Sequence, residues 1–184
     1  MALARSKPVT ADELANMSAE GRLELVRGEV VEMAPTGFEH GAIVAKLTML
    51  MNYHATINRL GKVVTGDVGF HLSTEPDLVR APDIAFLHSD SIPTGMASRR
   101  FVQGAPVLVA EVVSPTDRAN DIVERVDDYL KAGTTLIWVV YPSRQQVVEY
   151  RPPGESRILR PYDRLDGGDV FPGFSCTVGD IFAD

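Results

Sequence analysis

Two strongly apolar segments, Val107–Val113 and Thr135–Tyr141, constrain the fold of this chain more than any other feature. Each has the length and the nearly continuous apolar character of a strand that is covered on both faces. Between them, Asp117 is placed to cap a helix that runs to about Lys131, and Gly133 is placed to end it. A strand, a helix and a strand in this order form a crossover unit, so the two strands are predicted to be parallel.

Hairpins and helices are predicted on the N-terminal side of this unit. Thr10 and Glu13 have the spacing of a capping box, which predicts a short first helix. The alternating segments on either side of Arg27-Gly28 predict a β-hairpin. Apolar positions at helical spacing predict a long helix over Phe38–Ile57 that stops at Gly61.

The remaining strands complete the predicted architecture. They are expected at Lys62–Thr65, Val68–Ser73 and Asp83–His88, with a second hairpin at Val147–Arg151 and Arg157–Tyr162. We therefore predict a single α/β domain over residues 1–184, with its core at about 10–182. Its mixed β-sheet is flanked by α-helices and has N-terminal and C-terminal β-hairpins.

Composition excludes several classes of protein. The 184 residues include one cysteine, Cys176, which excludes a disulfide framework and most multi-thiolate metal sites. The formal charge of −7 argues against non-specific coating of nucleic acid, although a local basic groove stays possible. Because no apolar segment approaches about 20 residues, we expect no membrane partner and a cytoplasmic location.

Two carboxylates stand in apolar surroundings. Asp83 follows Pro82 at the start of a strand, and Glu111 interrupts the most apolar strand. A carboxylate in a buried strand costs several kcal/mol unless a cation or strong donors compensate. One interpretation is a structural ion pair with Arg118 or Arg125. The other is a hard-cation site, since two carboxylates bind Mg²⁺ and leave water positions for a phosphate substrate.

The order of these motifs resembles the PD-(D/E)XK nuclease superfamily. Within it, the chain is similar to a bacterial restriction-endonuclease-like family catalogued as a domain of unknown function. The likeness rests on Pro82-Asp83, on Glu111 within 106–115, on the 23–33 hairpin, and on the segments 128–133 and 136–150. It implies a Mg²⁺-dependent (or Mn²⁺-dependent) endonuclease that hydrolyses phosphodiester bonds in DNA, with Asp83 and Glu111 as metal ligands. Because cleavage of both strands takes two such sites, we expect a homodimer or higher homo-oligomer.

One position departs from the superfamily pattern. A lysine is expected two residues after the glutamate, where this chain has Val113, and relatives carry it instead on the following helix, where this chain has Arg125. Arginine keeps its proton at any working pH and cannot act as a base, but it binds phosphate oxygens. Arg125 is therefore a candidate catalytic residue. The alternative is a catalytically impaired relative that acts as a nucleic-acid-binding or assembly module.

Glu24 and His40 are secondary catalytic candidates. From the alternation of its strand, Glu24 is predicted on a solvated face, whereas the resemblance places it near the site, binding metal through water. His40 is predicted at a helix start, where a lone histidine is more often structural; the resemblance gives it a role at the site. Arg99 and Arg100 form a loop pair that we expect to contact substrate phosphate.

Overall fold

A computed structural model describes residues 7–17, 21–66, 68–92 and 101–183, so Arg99 and Arg100 lie outside the described residues. The helices are α1 (Ala11–Ala15), α2 (Phe38–Ile57), α3 (Ala119–Ala132) and α4 (Val178–Phe182). The strands are β1 (Arg22–Val26), β2 (Glu29–Met33), β3 (Gly61–Thr65), β4 (Phe70–Ser73), β5 (Leu78–Arg80), β6 (Ile84–His88), β7 (Val102–Gln103), β8 (Leu108–Val112), β9 (Leu136–Tyr141), β10 (Gln146–Arg151), β11 (Glu155–Leu159), β12 (Arg164–Asp166) and β13 (Ser175–Thr177).

The crossover unit lies at the centre of a six-stranded mixed sheet. Its strand order is β11-β10-β9-β8-β6-β3. Strands β8 and β9 are parallel, as predicted, and the neighbouring strands β6 and β10 run antiparallel to them. Helix α3 forms the connection and ends at Gly133, whose φ of 105° is readily adopted by glycine. The mixed sheet and both predicted hairpins are therefore confirmed.

Helices α2 and α3 cover opposite faces of this sheet. Because side chains alternate along a strand, Leu108, Ala110 and Val112 of β8 pack on the α2 side, and Val109 packs on the α3 side. Buried side chains of α2 include Ile43, Leu47 and Met51, and those of α3 include Ile122, Val126 and Tyr129. Glu111, which alternates in phase with Val109, is thereby directed towards α3.

A second sheet holds the N-terminal hairpin, which the sequence placed at the flank of a single mixed sheet. Its order is β2-β1-β5-β4-β7, and a further pair is formed by β12 and β13. The link is the pairing of Leu25 in β1 with Val79 in β5. Strand β5 was not predicted, because it is three residues long and too short to show a period.

Two helix boundaries differ from the prediction. Asp117 does not cap α3: the helix starts at Ala119, and the Asp117 carboxylate instead accepts a hydrogen bond of 2.7 Å from the Ser114 N–H. Helix α2 ends at Ile57, before Gly61, which begins β3. A Cβ at Gly61 would lie 1.9 Å from the Leu87 carbonyl oxygen, so close strand contact is what requires glycine here.

Candidate active site

Strand register brings Asp83 and Glu111 together. Ile84 of β6 pairs with Ala110 of β8, so one further step along the antiparallel ladder places Asp83 opposite Glu111. The Asp83 N–H lies 3.4 Å from Glu111 Oε2, and the Val112 N–H donates to Asp83 Oδ2 at 2.9 Å. Both residues are less than a tenth exposed. Two residues that are 28 positions apart thus form one carboxylate pair.

Helix α3 supplies the partners of Glu111. Arg125 and Tyr129 lie four residues apart and so share one face of the helix. The Tyr129 hydroxyl donates to Glu111 Oε1 at 2.8 Å, and Arg125 Nη1 lies 3.3 Å from the same oxygen. The predicted ion pair therefore forms with Arg125, whereas Arg118 is exposed at the start of the helix.

Glu24 lies beneath this pair and is fully buried, so the prediction of a solvated strand face is wrong. Its Oε1 accepts from Arg125 Nη1 at 3.0 Å and from the Ala81 N–H at 3.0 Å. Its Oε2 accepts from Arg125 Nη2 at 2.9 Å and from Arg80 Nη1 at 3.0 Å. Pairing of β1 with β5 brings Arg80 over this position, which strand alternation by itself does not reveal.

His40 and Arg22 hold the outer side of Asp83. His40 lies in the first turn of α2, and its Nε2 is 3.1 Å from Asp83 Oδ2. Arg22 Nη1, from the start of β1, is 3.4 Å from Asp83 Oδ1. The hydrogen bond to Asp83 raises the pKa of His40 against the opposing effect of burial. Asp83 therefore carries a basic partner on each oxygen.

These side chains line one opening. Asp83, Glu111, Arg125 and His40 border a cleft of about 80 Å³. A larger groove of about 450 Å³ adjoins it and shares Asp83, His40 and Arg22. Glu24 does not line the cleft but supports Arg125 from below. The structure thus brings four of the five predicted site residues to a single cleft, with the fifth in direct contact.

The pKa values of the two cleft carboxylates shift in opposite directions. Burial raises the pKa of Glu111 to about 7, with further contributions from the charges of Asp83 and Glu24, while Arg125 opposes the shift. Burial acts in the same direction on Asp83, but hydrogen bonds from His40 and the Val112 N–H keep its pKa below the usual value. Asp83 therefore keeps its negative charge at neutral pH, whereas Glu111 exchanges its proton near pH 7, a proton that a bound cation would displace.

The donor set fits a hard divalent cation. Among the described residues there is no group of three or more histidine, cysteine or acidic side chains arranged to hold a metal. In the same part of the chain, Asp83 Oδ1 and Glu111 Oε2 receive only long contacts of 3.4 Å, so both can accept a ligand bond. Two carboxylates with water in the remaining positions is the coordination that Mg²⁺ prefers.

Sequence reasoning missed several supporting residues. Arg80 donates to Glu24 and, at 2.6 Å and 3.0 Å, to Asp128 Oδ2; Asp128 also pairs with Arg27 at 2.9 Å. Arg80 directly follows the apolar pair Leu78-Val79, and a charged residue in such a setting is a signal of a buried ion pair. Glu111 was identified from the same kind of signal. Tyr129 was identifiable from its position one helical turn after Arg125.

The crossover sheet and its carboxylate cleft define a nuclease-like α/β protein. The family model named Uma2, described as "Putative restriction endonuclease", matches residues 11–179. The chain belongs to this family. No curated protein matches the chain.

A solved structure shows the same fold. It comes from Anabaena variabilis ATCC 29413 and is described as "a putative nuclease belonging to DUF820". The TM-score is 0.83 at 21% sequence identity, and the alignment covers 95% of this chain and 98% of that one. Within the described residues, no helix is long and apolar enough to cross a membrane.

Proposed function

We propose that the protein is a metal-dependent endonuclease that hydrolyses phosphodiester bonds in DNA, with Mg²⁺ as the cofactor and Mn²⁺ as a substitute. The observation that carries this proposal is the pairing of Asp83 and Glu111 in an open cleft, with the Arg125 guanidinium beside them. Family membership supports the reaction class. A cytoplasmic location and a homodimer remain part of the proposal.

Asp83 and Glu111 are the residues that would hold the metal, through Oδ1 and Oε2. A divalent cation supplies Lewis-acid stabilisation of phosphate charge and makes water a stronger nucleophile at neutral pH. Tyr129 and Arg125 fix Glu111 Oε1 on the helix side, which leaves Oε2 turned towards Asp83. His40 and the Val112 N–H fix Asp83 Oδ2 in the same way.

Arg125 contributes a permanent positive charge at the wall of the cleft. Its surroundings, with Glu111 and Glu24 in contact, raise its pKa despite burial, so it stays protonated at every working pH. It stabilises phosphate charge and does not remove a proton from water. Glu24 is a positioning residue, because its two bonds to the guanidinium set the plane in which Arg125 meets Glu111.

One observation favours a second candidate function. Both terminal nitrogens of Arg125 already donate to Glu24, which leaves fewer donors for a phosphate oxygen than a free arginine offers. A chain in which this pairing persists on binding would be a catalytically impaired nuclease-fold protein, and it would act as a nucleic-acid-binding or assembly module.

The test is cleavage of supercoiled plasmid DNA with Mg²⁺, Mn²⁺ or EDTA, for the wild type and for Asp83→Asn and Glu111→Gln. We expect cleavage that requires metal and falls at least about 100-fold in either variant, because each removes a metal-binding oxygen. Asp90→Asn is the matched control: Asp90 is exposed beyond the opposite end of β6, and this variant should keep full activity.

Calorimetric titration with Mn²⁺ distinguishes the two candidates. Metal binding that is lost in Asp83→Asn, together with metal-dependent cleavage, supports the nuclease. Metal binding without cleavage supports the impaired relative. Cleavage that persists unchanged in Asp83→Asn would come from a contaminant and would refute the proposal.

A further inference from the structure

The outer face of α2 is apolar although it faces solvent. Leu47 and Met51 of this helix are buried against the central sheet. On the other side, Met49, Tyr53 and Ile57 are 55%, 67% and 58% exposed. Residues four apart lie on one face of a helix, so these three form a continuous stripe. Asn52 and Thr56 are also exposed on this side, so the helix carries an apolar stripe within a partly polar surface, and such a stripe is typical of a protein contact.

The two halves of this outer face differ in side-chain size. Met49, Tyr53 and Ile57 lie in the C-terminal half, the exposed small residues Gly41, Ala42 and Ala45 lie in the N-terminal half, and the exposed Phe38 lies at the very start of the helix. A Cβ built at Gly41 would have no atom of the described residues within 4 Å, so the space above the small half is open. Charged residues on the helix are limited to Glu39 and Lys46.

We propose that the outer face of α2 is the contact surface of a homodimer, in which the two copies of the helix pack antiparallel around a two-fold axis beside Met49. In a two-fold interface the same patch meets itself, so the patch must be self-complementary. Antiparallel pairing satisfies this requirement, because Tyr53 and Ile57 of each helix lie over Ala45 and Gly41 of the other, and Phe38 lies beyond the partner's Ile57. A parallel pairing would place the large side chains of one helix against the large side chains of the other.

Charges at the helix ends favour the same orientation. Glu39 lies in the first turn of α2, and Arg59 lies two residues beyond its last turn. In the antiparallel pair, Glu39 approaches the partner's Arg59 at each end of the interface. A parallel pair would bring like charges together and would align the helix dipoles unfavourably.

The available area is sufficient for a specific contact. Phe38, which is 94% exposed at the start of α2, and Tyr53 together expose about 300 Å², since a large aromatic side chain carries about 200 Å². With Met49 and Ile57 the apolar patch reaches roughly 500 Å² per copy, or roughly 1,000 Å² for two copies, which is at the threshold for a biological interface and in the range of weak, reversible contacts. We therefore expect a reversible dimer with a measurable dissociation constant.

Sedimentation equilibrium of the full chain tests the proposal. We expect a mass near twice the 20.1 kDa of one chain at micromolar concentrations. The Met49→Asp and Tyr53→Lys variants should sediment as single chains, because each places a charge in the apolar contact. Val123→Asp is the matched control: Val123 is 58% exposed on α3, and this variant should keep the mass of the dimer.

Two further variants test the antiparallel orientation. Glu39→Arg should weaken the dimer by several-fold, and the double variant Glu39→Arg/Arg59→Glu should restore it, because the opposite charges meet again across the interface. In a Cys176→Ser background, Met49→Cys should be cross-linked between copies by a short bismaleimide, whereas Val123→Cys should not be.

Three outcomes would overturn the proposal. The first is a wild-type chain that stays at the mass of one copy up to about 100 µM. The second is a dimer that persists in both Met49→Asp and Tyr53→Lys. The third is cross-linking at Val123→Cys but not at Met49→Cys. Circular dichroism of each variant shows that loss of the dimer is not loss of the fold. None of these readouts depends on nuclease activity.

Discussion

A buried network of alternating charges surrounds the candidate active site. It runs from Glu111 to Arg125, to Glu24, to Arg80 and to Asp128, and each link is a hydrogen-bonded ion pair. Removal of one member of a buried pair costs about 3–5 kcal/mol, because it leaves an uncompensated charge. Truncation of any single member should therefore destabilise the fold as well as disturb the cleft.

Glu111 should make the metal-free protein less stable as pH rises. Its pKa of about 7 in the folded chain exceeds the unfolded value of 4.5, so the folded state holds the extra proton between these pH values. The stabilisation is fully present below about pH 4.5 and is lost as pH rises through 7. We expect the urea midpoint, measured in EDTA, to fall between pH 5 and pH 8.

The Glu111→Gln variant isolates this contribution. Glutamine keeps the shape of the side chain but does not titrate, so the fall in the urea midpoint should be smaller than in the wild type. His40, whose pKa is also raised, acts in the same direction in both proteins and leaves a residual slope. An identical pH dependence in wild type and variant would contradict the assignment to Glu111.

At the scale of elements, the site depends on how β6 is held between β3 and β8. The β6–β8 register aligns Asp83 with Glu111, and β3 covers the other edge of β6 along its whole length. Gly61 begins β3 opposite His88, where the strands approach so closely that a side chain does not fit. The close contact at Gly61 thus lies at the end of β6 that is opposite to Asp83.

We expect Gly61→Ala to destabilise the protein by more than about 2 kcal/mol, because the added methyl group would overlap backbone atoms that cannot move independently. Gly133→Ala is the comparison: its φ is also positive, but the space around it is open, so its cost should be about 1 kcal/mol. Urea unfolding of both variants measures the difference. Equal losses would show that β3 shifts to accept the side chain.

At the scale of the whole molecule, the charge of −7 opposes the approach of DNA. A divalent cation bound by Asp83 and Glu111 would add positive charge where the phosphate approaches. We therefore expect DNA binding, measured by fluorescence anisotropy with Ca²⁺ to limit cleavage, to be at least about tenfold tighter than in EDTA, and to weaken as salt rises. Asp83→Asn should lose most of the Ca²⁺ effect, and Asp90→Asn should retain it. Tight binding in EDTA would contradict this expectation.

The sequence predicted most elements because each carries a local signal. The capping box at Thr10, the helical periodicity of the 20-residue α2 and the left-handed Gly133 depend only on residues close together in the sequence. All three are present in the structure. The assignment of Asp117 as a helix cap failed because the same carboxylate also binds the turn before the helix, and only the folded loop selects between the two.

Some of the site residues were predicted from local sequence, and others were misjudged or missed. The apolar context of Glu111 and the Pro82-Asp83 pair indicated buried carboxylates, and the position of Arg125 on its helix indicated the partner. Glu24 was misjudged from alternation, because its burial depends on Arg80 from a strand more than 50 residues away. Arg80 and Tyr129 were missed although each has a local signal, because that signal does not say which carboxylate each one contacts.

Local patterns predicted most of the elements, the parallel crossover and the presence of charged residues in apolar strands. These features follow from local periodicity, capping and the cost of burying charge. Which charges meet depends on contacts between segments that are distant in the sequence. Strand register set Asp83 opposite Glu111, and a separate sheet carried Glu24 beneath Arg125. The physical reason is that ion pairs act over about 3–4 Å, whereas these residues are brought that close only by contacts between distant segments.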